Sequence, residues 1–288
     1  MSDYNQNRVQ AGSLMLHYLE WGSGDRVLVC LHGTSMSANA WTRLARDLKD
    51  GWRVIALNMR GHGFSDRPET GYSVAEYGED LLHFLDALHL KKVDLIGSSL
   101  GTQVAVDFAS RHPERVNRIV LSDPSLAIDE KAIAGYVRLH ETRARVFDTW
   151  EDAIGYCRAL PQRAKLSTEM HELAEAGDFK QLPDSRYEWC YYLPGILESF
   201  RKLTVDQWDQ VARIEAPVLV LRASTSHVLS KANALRLERE LKHGVLYEVP
   251  NSSHTIWGDQ PELLSDLTRR FLGGENVPRN EISDSEKR

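Results

Sequence analysis

The stretch that decides the reading is Val93-Asp94-Leu95-Ile96-Gly97-Ser98-Ser99-Leu100-Gly101-Thr102-Gln103-Val104. Val93 to Ile96 has the short apolar character of a buried strand, and the residues after Ser99 place Leu100, Val104 and Phe108 on one face of a helix. Between the two stands a Gly-x-Ser-x-Gly turn, in which glycine on either side of the serine permits close backbone approach. A serine held this way projects from the carboxyl end of a strand, above a helix amino end that favours developing negative charge. Ser99 is therefore the candidate nucleophile. The plainer alternative is a serine that only caps the helix.

Outward from this turn, short apolar runs alternate with helical patterns, the signature of a mostly parallel sheet covered by helices. Strands are predicted at Leu14 to Trp21, Arg26 to Leu31, Arg53 to Leu57, Val93 to Ile96, Asn117 to Leu121, Pro217 to Leu221 and Leu246 to Val249. Helices are predicted at Ala38 to Leu48, Val74 to Leu88, Leu100 to His112, Lys231 to Leu241 and Pro261 to Leu272. The expected fold class is α/β, a mostly parallel central sheet with helices on both faces. The rhythm breaks between Asp123 and about Thr204, which lacks a strand pattern and carries helical patterns at Lys131 to Phe147 and Ser167 to Ala176. Residues 1–123 and 205–272 are thus assigned to the core, and 124–204 to a helical cap inserted after the sixth strand. The large side chains there (Trp150, Tyr156, Tyr187, Trp189, Tyr191 and Tyr192) either line a pocket or hold the cap together. Residues 273–288 are polar and charged, and a disordered tail is expected.

Composition narrows the function classes. The 288 residues are 42% apolar with a net charge of −6, and no long basic run suggests a nucleic-acid partner. No apolar run approaches the ~20 residues of a membrane span, and Met1 to Gln10 lack the apolar stretch of an export signal. The three cysteines are too sparse for a disulfide framework and suit a reducing compartment, so a soluble cytoplasmic protein is expected. No Cys or His spacing suggests a metal, no cofactor is implied, and the expected partner is a small-molecule substrate. Oligomeric state stays open, a homodimer included.

Two further motifs stand in order before Ser99: His32-Gly33-Thr34-Ser35 after the strand ending at Leu31, and Arg60-Gly61-His62-Gly63-Phe64-Ser65 after the strand ending at Leu57. With the serine turn, they make residues 8 to 272 resemble the α/β-hydrolase superfamily. The resemblance implies that backbone N–H groups at Thr34 and Leu100 form an oxyanion hole. Two donors aimed in advance at the charging oxygen are each worth ~3–4 kcal/mol of barrier where measured. His32 and His62 are expected to hold loops rather than transfer protons.

A serine hydroxyl needs a neighbouring imidazole to take its proton. Of eleven histidines, His254 in Asn251-Ser252-Ser253-His254 lies between the last strand and the last helix, which matches the family's catalytic histidine. The third member should be a carboxylate orienting that imidazole. In most of the family it follows the strand matching Pro217 to Leu221. Here that loop reads Arg222-Ala223-Ser224-Thr225-Ser226-His227-Val228-Leu229-Ser230, with no carboxylate and with His227 where the family places aspartate. Three readings compete: Asp123 supplies the acid from the preceding sheet strand; a Ser–His pair works with neutral support such as Ser226; or the protein is weakened or repurposed. Asp123 precedes Pro124, so it is also a candidate turn former.

The expected chemistry is acyl transfer on a small or medium carboxylic ester, lactone or thioester. The same fold also hosts carbon–carbon bond hydrolysis and cofactor-independent oxygenation, and fold analogy does not choose among them. A ligand receptor that keeps a hydrolase pocket is the non-enzymatic alternative. Haloalkane dehalogenation wants a carboxylate nucleophile where this chain has Ser99.

Overall fold

A computed structural model of the chain describes all residues except 1–2, 127, 161–162, 164–165, 204–205, 279, 281 and 283–288. In chain order the strands are β1 (Asn5–Ala11), β2 (Leu14–Trp21), β3 (Val27–Leu31), β4 (Arg53–Leu57), β5 (Val93–Ser98), β6 (Val116–Ser122), β7 (Val146–Phe147), β8 (Phe179–Gln181), β9 (Tyr187–Trp189), β10 (Val218–Ala223) and β11 (Gly244–Val249). The α-helices are α1 (Thr42–Leu48), α2 (Val74–Ala87), α3 (Leu100–Arg111), α4 (Glu130–Thr142), α5 (Trp150–Arg158), α6 (Thr168–Asp178), α7 (Leu193–Lys202), α8 (Trp208–Val211), α9 (Lys231–Glu240), α10 (Ile256–Asp259) and α11 (Pro261–Gly273).

Eight strands form the central sheet in the order β1-β2-β4-β3-β5-β6-β10-β11, with β2 antiparallel to its neighbours and the rest parallel. Every residue of β5 and β10 is buried. Parallel strands covered on both faces read as continuous apolar runs, which is why these were legible. Side chains of α2, α3 and α9 fill a core on one face of the sheet, and those of α1 and α11 fill a second core on the other. Phe84 of α2 and Phe108 of α3 are wholly enclosed, each burial stabilising by about 2–3 kcal/mol. A capping box between Ser73 and Glu76 starts α2, satisfying backbone donors that the first helical turn cannot.

Strand β1 went unread because it is an edge strand: Gln6, Arg8 and Gln10 are exposed at alternate positions, and only Ala11 is buried. The segment between β6 and β10 also departs from expectation. Besides helices it holds a three-stranded antiparallel sheet, β7-β9-β8. Its strands are two or three residues long, too short for alternation to show. They are held by packed rings, with Phe179 and Trp189 4.3 Å apart between centroids. The helix predicted through Phe147 ends at Thr142, where Arg143 turns to extended backbone (φ −67°, ψ 138°).

This segment docks on the turn after β4. The Gly63 N–H donates to Cys190 O at 2.6 Å and the Tyr192 N–H to Gly61 O at 2.7 Å. Arg60 anchors that turn to α2 through a two-pronged pair with Asp80, a geometry that carboxylates favour. The tail expected from residue 273 is more ordered than its composition suggested. Val277 is buried, and the Asn280 side chain pairs with both backbone groups of Glu248 on edge strand β11. An amide can satisfy an open sheet edge in this way, a polar role that hydropathy does not register. Residues 283–288 lie outside those described.

Candidate active site

The turn between β5 and α3 holds Ser99 at φ 51°, ψ −118°, a region costing a non-glycine residue about 1–3 kcal/mol. The surroundings enforce it. A Cβ on Gly97 would lie 2.3 Å from Gly101 O, and one on Gly101 would lie 2.1 Å from Leu31 O. Both obstacles are backbone, so the two glycines are what let α3 approach β3 and β5. The Thr102 N–H and hydroxyl both donate to Ser99 O, at 2.9 and 2.6 Å. The Ser99 hydroxyl itself has no hydrogen-bond partner among the described residues and faces a cavity of about 480 Å³ that His254 also lines.

Asp123 follows β6 directly, at φ 49°, a left-handed conformation that aspartate tolerates better than most residues. Its side chain is wholly buried, which a surface Asp-Pro turn would not be. Oδ2 receives His254 Nδ1–H at 2.7 Å and the Ser226 hydroxyl at 2.8 Å, while Oδ1 accepts the Ala223 N–H at 3.0 Å. Three donors on one enclosed carboxylate compensate for the loss of water. This contact fixes the proton on Nδ1 and leaves Nε2 of His254 to accept. The Ser226 hydroxyl thus reaches the carboxylate rather than the imidazole. In turn it accepts the Val228 and Leu229 N–H groups at 3.2 and 2.9 Å, tying the loop after β10 to Asp123.

His227, standing where the family keeps its acid, packs edge-on against His254 with 5.5 Å between centroids. Burial, then the adjacent His254, holds its pKa below the usual histidine value. The ring is therefore neutral near pH 7 and gives the imidazole neither charge nor orientation.

Thr34 lies on the cavity wall beside Ser99, and Leu100 is the first residue of α3. The neighbouring donors are engaged: Ser35 N–H bonds His62 Nε2 at 3.1 Å and Met36 N–H bonds Gly33 O at 3.2 Å. His62 Nδ1 faces Arg60 O, and His32 spans Gly33 O and the Met59 N–H. Each ring donates at Nδ1 and accepts at Nε2, so both are neutral struts. Burial pushes His32 down to about 4 and His62 well below its usual value.

The segment between β6 and β10 contributes His140, Arg143, Trp189 and Phe200 to the cavity lining. None was singled out as a site residue from sequence, since no short motif marks a wall built from α4, β9 and α7. Of the large side chains read from sequence, Trp189 reaches the cavity. Trp150, Tyr156 and Tyr187 instead pack around Phe147 and Phe179, and Tyr191 and Tyr192 line a separate outer hollow.

With fold and site in view, the sequence profile described as alpha/beta hydrolase fold matches residues 26–261. The chain belongs to the α/β-hydrolase fold family. It is 28% identical to the 3-hydroxybutyrate-oligomer hydrolase of Cupriavidus necator, covering 91% of this chain and 94% of that one. Identity to the 2-hydroxy-6-oxo-2,4-heptadienoate hydrolase of Pseudomonas putida is 27%, covering 93% and 96%. The crystal structure of E-2-(acetamidomethylene)succinate hydrolase superposes with a TM-score of 0.87 at 23% identity, over 94% of this chain and 99% of that one. These three are named as hydrolases of different substrates. Among the described residues, no helix is long and apolar enough to cross a membrane.

Proposed function

We propose that the protein is a serine hydrolase that cleaves a small or medium carboxylic ester, lactone or thioester through an acyl-enzyme. Ser99 Oγ attacks the carbonyl carbon while His254 Nε2 takes its proton. Asp123 holds the imidazole in the required tautomer and stabilises the imidazolium. The N–H groups of Thr34 and Leu100 receive the oxygen that becomes negative, with no reorganisation at the moment of reaction. Collapse of the tetrahedral intermediate expels the alcohol or thiol, which leaves with the proton from His254. Water, deprotonated by the same imidazole, then releases the acid and restores Ser99. The segment at 124–204 acts as a cap that closes the cavity to long polymers.

The observation that carries this reading is the 2.7 Å contact between His254 Nδ1 and the fully buried Asp123, beside a serine in a strained turn. It favours the acid at Asp123 over an unsupported Ser–His pair. Carbon–carbon bond hydrolysis is the second reading, supported by the likeness to the heptadienoate hydrolase of P. putida. Rapid mixing with 4-nitrophenyl butyrate separates the two. An initial burst of nitrophenol and a butyryl adduct on Ser99, seen by mass spectrometry, are expected. No burst and no adduct, with the fold intact, would remove the ester reading.

A further inference from the structure

One buried arginine in the cavity wall forms no salt bridge among the described residues. Arg143, which follows α4, is 6% exposed and lines the same cavity as Ser99. Its guanidinium lies over the Trp189 ring, with Cζ 5.2 Å from the centroid, and its enclosed Nε has no hydrogen-bond partner. The other two buried arginines among the described residues each meet a carboxylate, Arg163 at Asp178 and Arg222 at Glu248. Asp178, whose charge Arg143 also feels, is already held by Arg163. The described lining of the cavity contains no Asp or Glu. The Tyr191 hydroxyl accepts a hydrogen bond from Arg143, which supplies a dipole but no charge. Neighbouring His140 is neutral at pH 7, pushed down to about 4 by burial and then by Arg143 itself.

Enclosing a guanidinium with no carboxylate against it is unfavourable, and removing water strengthens its attraction for any anion that enters. The planar fork suits a carboxylate, and one uncompensated positive charge matches one negative charge. We propose that Arg143 binds a free carboxylate on the substrate, so that the enzyme acts on small acids carrying a second acyl group presented to Ser99. This deepens the acyl-transfer reading and rests on it for the reaction, but not for the binding.

Two measurements keep those claims apart. The first is calorimetric binding of glutarate and of its neutral diamide, glutaramide, to the Ser99→Ala protein, where chemistry is silent. Glutarate is expected to bind at least about 10-fold more tightly than glutaramide, with that margin lost in Ser99→Ala/Arg143→Met and partly kept with Arg143→Lys. The second is kcat/KM for the mono-4-nitrophenyl ester of glutaric acid against 4-nitrophenyl valerate. The ratio is expected to favour the anionic ester by about 10- to 100-fold and to fall near one in Arg143→Met, whereas a purely structural arginine would lower both esters alike. Should Arg143→Met fail to fold, the glutarate–glutaramide comparison on the Ser99→Ala protein still decides. Equal affinity for the two overturns the proposal. Arg143-dependent glutarate binding without turnover of either ester would leave the anion site standing and remove the acyl-transfer reading.

Discussion

Acidification to about pH 5 is expected to destabilise this protein chiefly through four enclosed histidines. Burial, assisted by Arg8 for His17 and by Arg143 for His140, pushes His17, His32 and His140 down to about 4 from an ordinary 6.5. Burial and the adjacent His32 put His62 well below its usual value. In the unfolded chain each takes its proton near 6.5; in the folded chain His17, His32 and His140 take it only near 4, and His62 well below its usual value. Between those limits the unfolded state binds more protons. The stabilisation is therefore complete above about pH 7 and is lost as pH falls through 6.5 toward 4. At pH 5 the loss is about 2 kcal/mol for each of His17, His32 and His140, and His62 adds to it in the same direction. Asp94 opposes it: burial raises its pKa to about 6, so the folded carboxyl binds a proton first and returns about 1 kcal/mol over the same window. The net loss, about 5 kcal/mol from these three histidines and Asp94 and larger once His62 is included, is a large part of the 5–15 typical of a folded domain. Urea melts at about pH 7.5 and pH 5 measure it, and a midpoint falling by about 2 M is expected for a slope near 3 kcal/mol/M. A midpoint that moves by less than about 0.5 M would refute the reasoning. Because His62 Nε2 accepts the Ser35 N–H, activity is expected to fail with the fold, as the loop carrying Thr34 loses its anchor.

The remaining predictions concern single residues. Ser226→Ala removes a donor from Asp123 Oδ2 and is expected to lower kcat by about 10-fold with unchanged circular dichroism; unaltered kcat would show that the hydroxyl has no part in positioning the acid. His227→Gln is expected to keep kcat within about 3-fold and to leave the acidic limb of the pH–rate profile in place, since the ring is already neutral; a displaced limb would make His227 a proton carrier. Gly101→Ala drives a methyl group to 2.1 Å from Leu31 O and is expected to cost about 4 kcal/mol or more in thermal melts. A loss under 1 kcal/mol would mean that α3 can retreat from β3.

The sheet was legible wherever strands are covered on both faces, as Val93–Ser98 and Val218–Ala223 are, because burial writes itself as an apolar run. It was not legible at Asn5–Ala11, where an edge strand needs only backbone partners, nor at Val146–Phe147, where two residues cannot display a period. Ser99, His254, Thr34 and Leu100 could be named as candidates because each stands at a fixed offset from a sheet strand. Asp123 emerged from an absence, the missing carboxylate in residues 222–230, combined with its position at the end of β6. Ser226 was named only as neutral support. That it works through Asp123 depends on a loop conformation that no local pattern specifies. Arg143 was unreadable because its character comes from what surrounds it, and those neighbours are distant in the chain.

The central claim, acyl transfer on Ser99 with Asp123 as the acid of His254, is tested most directly by 4-nitrophenyl butyrate turnover in four proteins. These are the wild type, Ser99→Ala, Asp123→Asn and Asp123→Asn/His227→Asp. The account predicts that Ser99→Ala is inactive and that Asp123→Asn loses about 10³- to 10⁴-fold in kcat through the wrong imidazole tautomer. The second substitution in the double variant should restore little. Activity of Asp123→Asn within about 10-fold of wild type, or full recovery in the double variant, would contradict it.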